Sequence, residues 1–113
     1  MLEADLIARH PRLFHVAHPD AWPSIVEHGL LSTSALLDRY RVTGPEREAI
    51  EARPRRTDVT LMAEGLPPAL IRDQRPLLPL RDADLDDGLT VADWCRTLNR
   101  RVYLFTSEAD AIR

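Results

Sequence analysis

The fold prediction rests mainly on residues 12–31, which read RLFHVAHPDAWPSIVEHGLL. Arg12–Ala17 is a short run with aromatic and β-branched residues, which predicts a β-strand. After a turn at Pro19, apolar residues one helical turn apart predict a helix over Ala21–His28. Gly29 stands where helices often end on a left-handed residue, a conformation that glycine adopts at little cost. Together these signals predict one strand–helix unit.

Helices are predicted on both sides of this unit. Leucine and isoleucine with helical spacing predict an amphipathic helix in residues 1–10. Ser32 is the first of three adjacent Ser and Thr residues that can cap a helix ending near Tyr40. Pro45 suits the first turn of a further helix, which is predicted to run to about Arg53.

Residues 58–73 predict a β-hairpin. Asp58–Met62 alternates between apolar and polar residues, and Ala69–Asp73 is a second short strand beyond a turn that contains glycine and proline. The stretch Arg75–Gly88 contains many acids and several helix breakers, so we expect a loop with at most one short helical turn.

Residues 90–113 predict a helix, a strand and a second helix. Thr90 begins a capping box with Asp in place of the usual Glu, and this helix is predicted to end at Asn99. Arg101–Phe105 has the strongest strand pattern in the chain. A last helix begins at Glu108 and has only about two turns, which is marginal without packing. The sequence therefore predicts either a tightly packed terminus or a fragment of a longer protein.

Composition indicates a single α+β domain over residues 1–113. A chain of this length can bury one modest core without disulfides. All fifteen basic residues are arginine, yet the net charge is −3. A general nucleic-acid-binding domain is normally basic, so this balance argues against that class while leaving a local basic patch open.

The single cysteine, Cys95, excludes an intrachain disulfide and suits a reducing cytosol. It lies beside a tryptophan in a predicted helix, so a small buried core residue is expected. The first ten residues lack the pattern of a signal peptide, and no apolar run is long enough to span a membrane. We expect a cytoplasmic protein without membrane contact.

Three side chains are candidates for binding. His15 is either aimed from its strand into a pocket or hydrogen-bonded in the core. Arg72 follows Leu70 and Ile71 inside an apolar predicted strand, where it either grips a phosphate or carboxylate, pairs with Asp73, or is exposed on an edge strand. Tyr103 either stacks on a flat ligand or is an aromatic residue of the core or of a sheet face. The histidines and the cysteine lack the spacing of a zinc site, so no metal is expected.

The opening unit also resembles a known family. The Phe14–His15 pair, the helix with Ile25 and the Gly29–Leu30 pair are similar to the first strand and helix of the ADP-ribosyltransferase superfamily, as found in DNA-targeting bacterial toxins and RNA 2′-phosphotransferases. The segments IRDQ at 71–74 and LNRRVYLF at 98–105 resemble an uncharacterised bacterial family that opens in the same way. The resemblance implies a small mixed or antiparallel sheet with N-terminal and inserted helices, incomplete at the C-terminus.

The resemblance also implies a cofactor site. His15 matches the histidine that hydrogen-bonds the ribose of NAD, and Ser32 and Thr33 would line the same cleft. Tyr103 is added as a residue that contacts the nucleotide. Arg72 is assigned the grip on the pyrophosphate or the substrate.

The implied activity is NAD-dependent ADP-ribosylation of nucleic acid or protein in a toxin or defence role. The catalytic assignments are Arg72 and Glu108. Enzymes of this superfamily usually place a catalytic Glu on a strand after the one that matches Arg101–Phe105. Glu108 is the only late Glu here, and it is predicted to begin a helix.

Two other kinds of protein stay open. One is a non-catalytic interaction module or a truncated relative, which the short C-terminal region and the missing late acid would fit. The other is a subunit that completes its sheet with a strand from a partner. The sequence leaves the oligomeric state open.

Overall fold

The computed structural model describes residues 2–111, so Met1, Ile112 and Arg113 of the predicted ranges lie outside the described residues. Helices dominate the described chain, and two strands form a hairpin. The elements are α1 (Glu3–Arg9), α2 (Trp22–His28), α3 (Thr33–Arg39), α4 (Gly44–Glu51), β1 (Val59–Leu61), β2 (Ala69–Ile71), α5 (Val91–Asn99) and α6 (Glu108–Ala111). Short 3-10 turns lie at Pro19–Ala21, Arg75–Leu77 and Asp82–Asp84.

Helix ends follow the predicted capping signals. The Ser32 hydroxyl accepts a hydrogen bond from the Ala35 backbone N–H at 3.1 Å and so begins α3. Thr90 and Asp93 form the predicted capping box at the start of α5. Gly29 ends α2 with φ +77°, in the region that favours glycine. The predicted starts of α3 and α5 and the predicted C-terminal end of α2 are therefore confirmed.

The predicted hairpin is also confirmed. Strands β1 and β2 pair antiparallel, with Val59 opposite Ile71 and Leu61 opposite Ala69. Successive side chains of a strand point to opposite faces, so these positions share the face that packs on the helices. Leu61, Ala69 and Ile71 are accordingly almost completely buried.

The core lies between the hairpin and the middle helices. Leu37 and Tyr40 come from α3 and the residue after it, and Ile50 comes from α4. Leu37 is fully buried, and so is Cys95, as predicted for that cysteine. Helix α5 packs against α3 and α4, which brings its C-terminal end close to the segment that follows α4.

Two predicted strands are wrong in extent. Within residues 2–111, Arg12–Ala17 and Arg101–Phe105 share a single antiparallel bridge between Phe14 and Phe105. Each of these two residues donates its backbone N–H to the carbonyl of the other, at 2.8 and 2.7 Å. A strand needs a continuous ladder of backbone hydrogen bonds, and neither segment has a neighbour that extends this pair.

The sheet of the described chain consequently has two strands, β1 and β2. The α+β content agrees with the prediction, because helices are combined with a small antiparallel sheet. The finer prediction, an ADP-ribosyltransferase-like sheet built partly from residues 101–105, has no counterpart in this topology.

Candidate functional site

A cavity of about 450 Å³ is lined both by β2 and by the two bridged segments. Its lining includes residues 15–18, parts of helices α2 and α3, Arg55, β2 with residues 72–74, the end of α5, and residues 101–103 and 105. Cavities of roughly 300–1,000 Å³ are typical of small-molecule sites. The cavity is therefore large enough for a ligand of ordinary metabolite size.

Four of the six residues proposed from the sequence line this cavity. They are His15, Thr33, Arg72 and Tyr103. Ser32 is not among the lining residues, since its hydroxyl caps α3. Glu108 is also outside the lining and begins α6. The structure thus brings together side chains that are as much as 88 positions apart in the chain.

His15 is held by a hydrogen bond across the bridged segments. Its Nδ1 lies 3.0 Å from the backbone carbonyl of Tyr103, and because a carbonyl only accepts, Nδ1 carries the proton. In the neutral ring Nε2 is then an acceptor. Nε2 makes no hydrogen bond to another described residue. This nitrogen is free to accept a hydrogen bond from a ligand hydroxyl group.

Tyr103 is fixed at both ends. Its backbone carbonyl accepts from His15, and its phenol donates to the carbonyl of Leu98 near the end of α5, at 3.3 Å. Its side chain is half-exposed and lines the cavity. A ring held in this way can contact a flat ligand without losing much side-chain freedom.

Arg72 follows β2 and its side chain is exposed. Its guanidinium makes no hydrogen bond or salt bridge within residues 2–111, so the alternative of a close pair with Asp73 is not what the structure contains. Asp73 instead accepts a hydrogen bond from the backbone N–H of Arg75 at 3.0 Å. That bond, with weaker help from the nearby arginines, holds the pKa of Asp73 below its ordinary value.

Arg55 is a cavity residue that the sequence did not single out, and only 9% of it is exposed. Its Nη1 donates to the carbonyl of Ile50 at 2.9 Å and to Oδ1 of Asn99 at 3.0 Å. Its Nε donates to the carbonyl of Arg72 at 3.0 Å. Two hydrogen bonds join Gln74 to the Arg55 backbone. The side-chain oxygen of Gln74 accepts from the Arg55 N–H, and the backbone N–H of Gln74 donates to the Arg55 carbonyl.

Asn99 supports this arrangement from the end of α5. Only 3% of Asn99 is exposed, and its Nδ2 donates to the carbonyl of Glu51 at 2.9 Å. Asn99 therefore joins the end of α4 to the Arg55 side chain. Both polar ends of the amide are satisfied, which fixes its orientation.

Comparison with known protein families assigns the chain to one of them. A family-wide sequence pattern matches residues 11–113. The chain belongs to DUF7002, a family of unknown function. No curated protein and no solved structure matches it. Membership in DUF7002 carries no link to ADP-ribosyltransferases or to a bacterial source.

The electrostatics of the DUF7002 cavity differ from those of the whole chain. Three arginines line it, Arg55, Arg72 and Arg101, against a single described acid, Asp73. The whole chain has a net charge of −3. Burial lowers the pKa of Arg55, and the charge of Asp73 only partly offsets this. The cavity is therefore a local positive region in an acidic protein.

Two further findings describe the part of the DUF7002 domain that the structure covers. Residues 2–111 contain no group of three or more His, Cys, Asp and Glu side chains placed to hold a metal ion. None of the helices in the same range has both the length and the apolar character needed to cross a membrane.

Proposed function

We propose that the cavity binds NAD or a related nucleotide and that the domain is an ADP-ribosyltransferase-like module for a nucleic-acid or protein acceptor. One observation supports this best: His15, Thr33, Arg72 and Tyr103, selected from the sequence for such a role, line the same cavity. The excess of arginine in the lining also suits the negative charge of a pyrophosphate.

Each group has a task that its chemistry suits. The free Nε2 of His15 accepts a hydrogen bond from a ribose hydroxyl group, and the ring of Tyr103 contacts a flat base or nicotinamide. The Thr33 hydroxyl offers a second polar contact, and Arg72 reaches the phosphates. These contacts would orient the nucleotide with its ribose beside His15.

Transfer would require more than binding. As nicotinamide leaves, positive charge develops on the ribose, and a nearby carboxylate stabilises such a centre. Glu108 lies outside the cavity lining, whereas Asp73 belongs to it, and the hydrogen bond from the Arg75 backbone N–H lowers the pKa of its carboxyl group. Asp73 therefore replaces Glu108 as the acid that we propose to face the ribose.

Titration of the folded protein with NAD, followed by calorimetry and amide chemical shifts, tests the proposal. We expect saturable binding, with the largest shifts at residues 15–18 and 101–105. Replacement His15→Ala should weaken NAD binding about 3- to 10-fold, the effect of one lost hydrogen bond. His10→Ala is the matched control, because His10 lies outside the cavity lining. Absence of NAD binding, or equal effects of the two replacements, would contradict the proposal.

A non-catalytic interaction module is the second candidate. It is favoured by two large apolar side chains on α2, Trp22 and Val26, which are 64% and 66% exposed. Exposed apolar side chains that lie together often mark contact surfaces. If the folded protein binds no nucleotide while Trp22→Ala changes its sedimentation behaviour at high concentration, this second candidate becomes the better one.

A further inference from the structure

The guanidinium of Arg55 is only partly used by the protein. Arginine has five N–H donors. The Nε donor is directed to the carbonyl of Arg72, and the two Nη1 donors are directed to the carbonyl of Ile50 and to Oδ1 of Asn99. The two donors on Nη2 have no partner within residues 2–111. Every fully buried side-chain nitrogen or oxygen in that range has a partner, so Nη2 must be open to solvent.

The charge of Arg55 is also uncompensated. Its three acceptors are neutral oxygens, and it forms no salt bridge with any acid of the described chain. Asp73 acts on it only from a longer distance. A buried cation without a paired anion is costly for the folded protein, and an anion bound in the cavity would remove part of that cost.

The position of Arg55 is set before any ligand arrives. Its guanidinium plane is held through two of its three nitrogens, and Asn99 and Gln74 hold the groups around it. Arg72, by contrast, is exposed and makes no hydrogen bond through its side chain to the described residues. A donor that is already ordered loses less freedom on binding than one that must first be ordered.

We propose that the Nη2 edge of Arg55 is an anion subsite that holds an oxyanion, phosphate or carboxylate, of the molecule bound in the cavity. Asn99 and Gln74 are positioning residues of this subsite. The inference rests on the proposed function only in using the same cavity. For a dinucleotide the group held at Arg55 is the pyrophosphate, and for a carboxylic acid it is the carboxylate.

Binding of three small probes to the intact chain tests the subsite. Inorganic pyrophosphate and malonate represent the two oxyanions, and adenosine represents the uncharged part of a nucleotide. Guanidinium resonances of 15N-labelled arginine are followed in the same titrations. We expect at least one anion to bind saturably and to shift the Arg55 resonance, and adenosine to leave that resonance unchanged. The preferred anion identifies the source of the oxyanion.

Substitution provides the second arm. Arg55→Gln should weaken the preferred anion by about 10- to 100-fold, as expected for a lost charge-assisted hydrogen bond. Arg53→Gln removes the same charge two positions away, at an exposed residue outside the cavity lining, and should change the affinity less than about 2-fold. Arg55→Lys keeps the charge without the fork of donors and should give an intermediate affinity.

The outcomes separate this subsite from the nucleotide proposal. If NAD binds with equal affinity to the parent protein and to Arg55→Gln, the subsite is wrong and nucleotide binding survives. If pyrophosphate binds at Arg55 and NAD does not, the subsite survives and NAD binding is wrong. If Arg55→Gln does not fold, the titration of the parent protein is the test. An Arg55 resonance that does not shift when the anion is saturating overturns the subsite. Failure of both anions to bind overturns it as well.

Discussion

Cys95 is fully buried in α5, and burial raises the pKa of its thiol above the ordinary value, although the nearby Arg55 charge opposes this shift. A neutral, inaccessible thiol is a poor nucleophile. We expect a thiol reagent such as Ellman's reagent to label the folded protein very slowly and the urea-unfolded protein rapidly. Rapid labelling under native conditions would contradict the packing of α5.

The same position allows a stability prediction. Cys95→Ser places a hydroxyl where a weakly polar thiol now lies, so we expect a loss of about 1–3 kcal/mol in the free energy of unfolding. Cys95→Ala leaves a small void without a polar group and should cost about 1 kcal/mol. Urea unfolding of both variants measures the difference, and a serine variant as stable as the alanine variant would show that the hydroxyl finds a partner.

For single residues, the burial of Cys95 can be predicted from the sequence, whereas the inward orientation of Arg55 cannot. An isolated cysteine in an amphipathic helix has few alternatives to a core position, and the helix pattern shows which side it faces. Arg55 is one of fifteen arginines, in a loop that also contains Arg56. Its inward orientation depends on acceptors supplied by α4, by the residue after β2 and by Asn99. Those acceptors converge only in the folded chain, so no local pattern reveals them.

Helices α3 and α4 are joined through the Glu51 carboxylate. Ser34 of α3 donates its hydroxyl to Glu51 at 2.7 Å, and Arg47 of α4 donates to the same oxygen at 3.2 Å. Arg47 also reaches Asp38 of α3. Burial alone would raise the pKa of Glu51, but the hydrogen bonds from Arg47 and Ser34 outweigh it, and the pKa lies below its ordinary value.

This lowered pKa predicts a specific acid sensitivity. A carboxylate with a lower pKa in the folded state stabilises the fold above its unfolded-state pKa and loses that contribution as the pH falls through the folded-state pKa. Glu51→Gln should therefore lower the free energy of unfolding by about 1 kcal/mol at neutral pH, and the difference from the parent should vanish in acid. Urea unfolding of the variant and the parent at several pH values, from neutral to acid, measures this difference in the free energy of unfolding.

Glu64→Gln is the control, because Glu64 is exposed and forms no salt bridge with another described residue. It should follow the parent at every pH. A Glu51 variant that parallels the parent curve, with a constant offset, would show that the carboxylate does not titrate differently in the folded state.

Elements differ in how far sequence pattern determines them. The helix caps at Ser32 and Thr90 and the hairpin depend on neighbours a few positions away, so their patterns were sufficient. The strand predictions for Arg12–Ala17 and Arg101–Phe105 failed for a different reason. Their composition suits an extended backbone, but a strand also requires a partner along its length. Composition does not reveal how much of that length is paired.

At the scale of the whole molecule, the cavity is lined by a well-packed part of the fold and by a part whose two segments share only one β-bridge within residues 2–111. One wall is β2, with Ala69 and Ile71 in the core. Another part of the wall is the pair of segments joined at Phe14 and Phe105, whose side chains are largely outside the core. The candidate residues are divided between the two walls, since Arg55 belongs to the packed part and His15 to the weakly paired one.

This division predicts a gradient of amide hydrogen exchange. The Phe14 and Phe105 amides are protected by two isolated hydrogen bonds, whereas the Tyr40 amide is bonded to Leu36 in a buried helix end. We expect Phe14 and Phe105 to exchange much faster than Tyr40 in the free protein. A ligand that contacts both walls should slow exchange at Phe14 and Phe105 selectively, because binding stabilises the bridge between the two segments.

The amide of Leu6 in α1 serves as the internal reference, since α1 contributes no residue to the cavity lining. Exchange there should be the same with and without ligand. Equal protection of Phe14 and Tyr40 in the free protein would mean that the bridged segments are as stable as the core. In that case the wall that carries His15 is as stable as the core before any ligand binds.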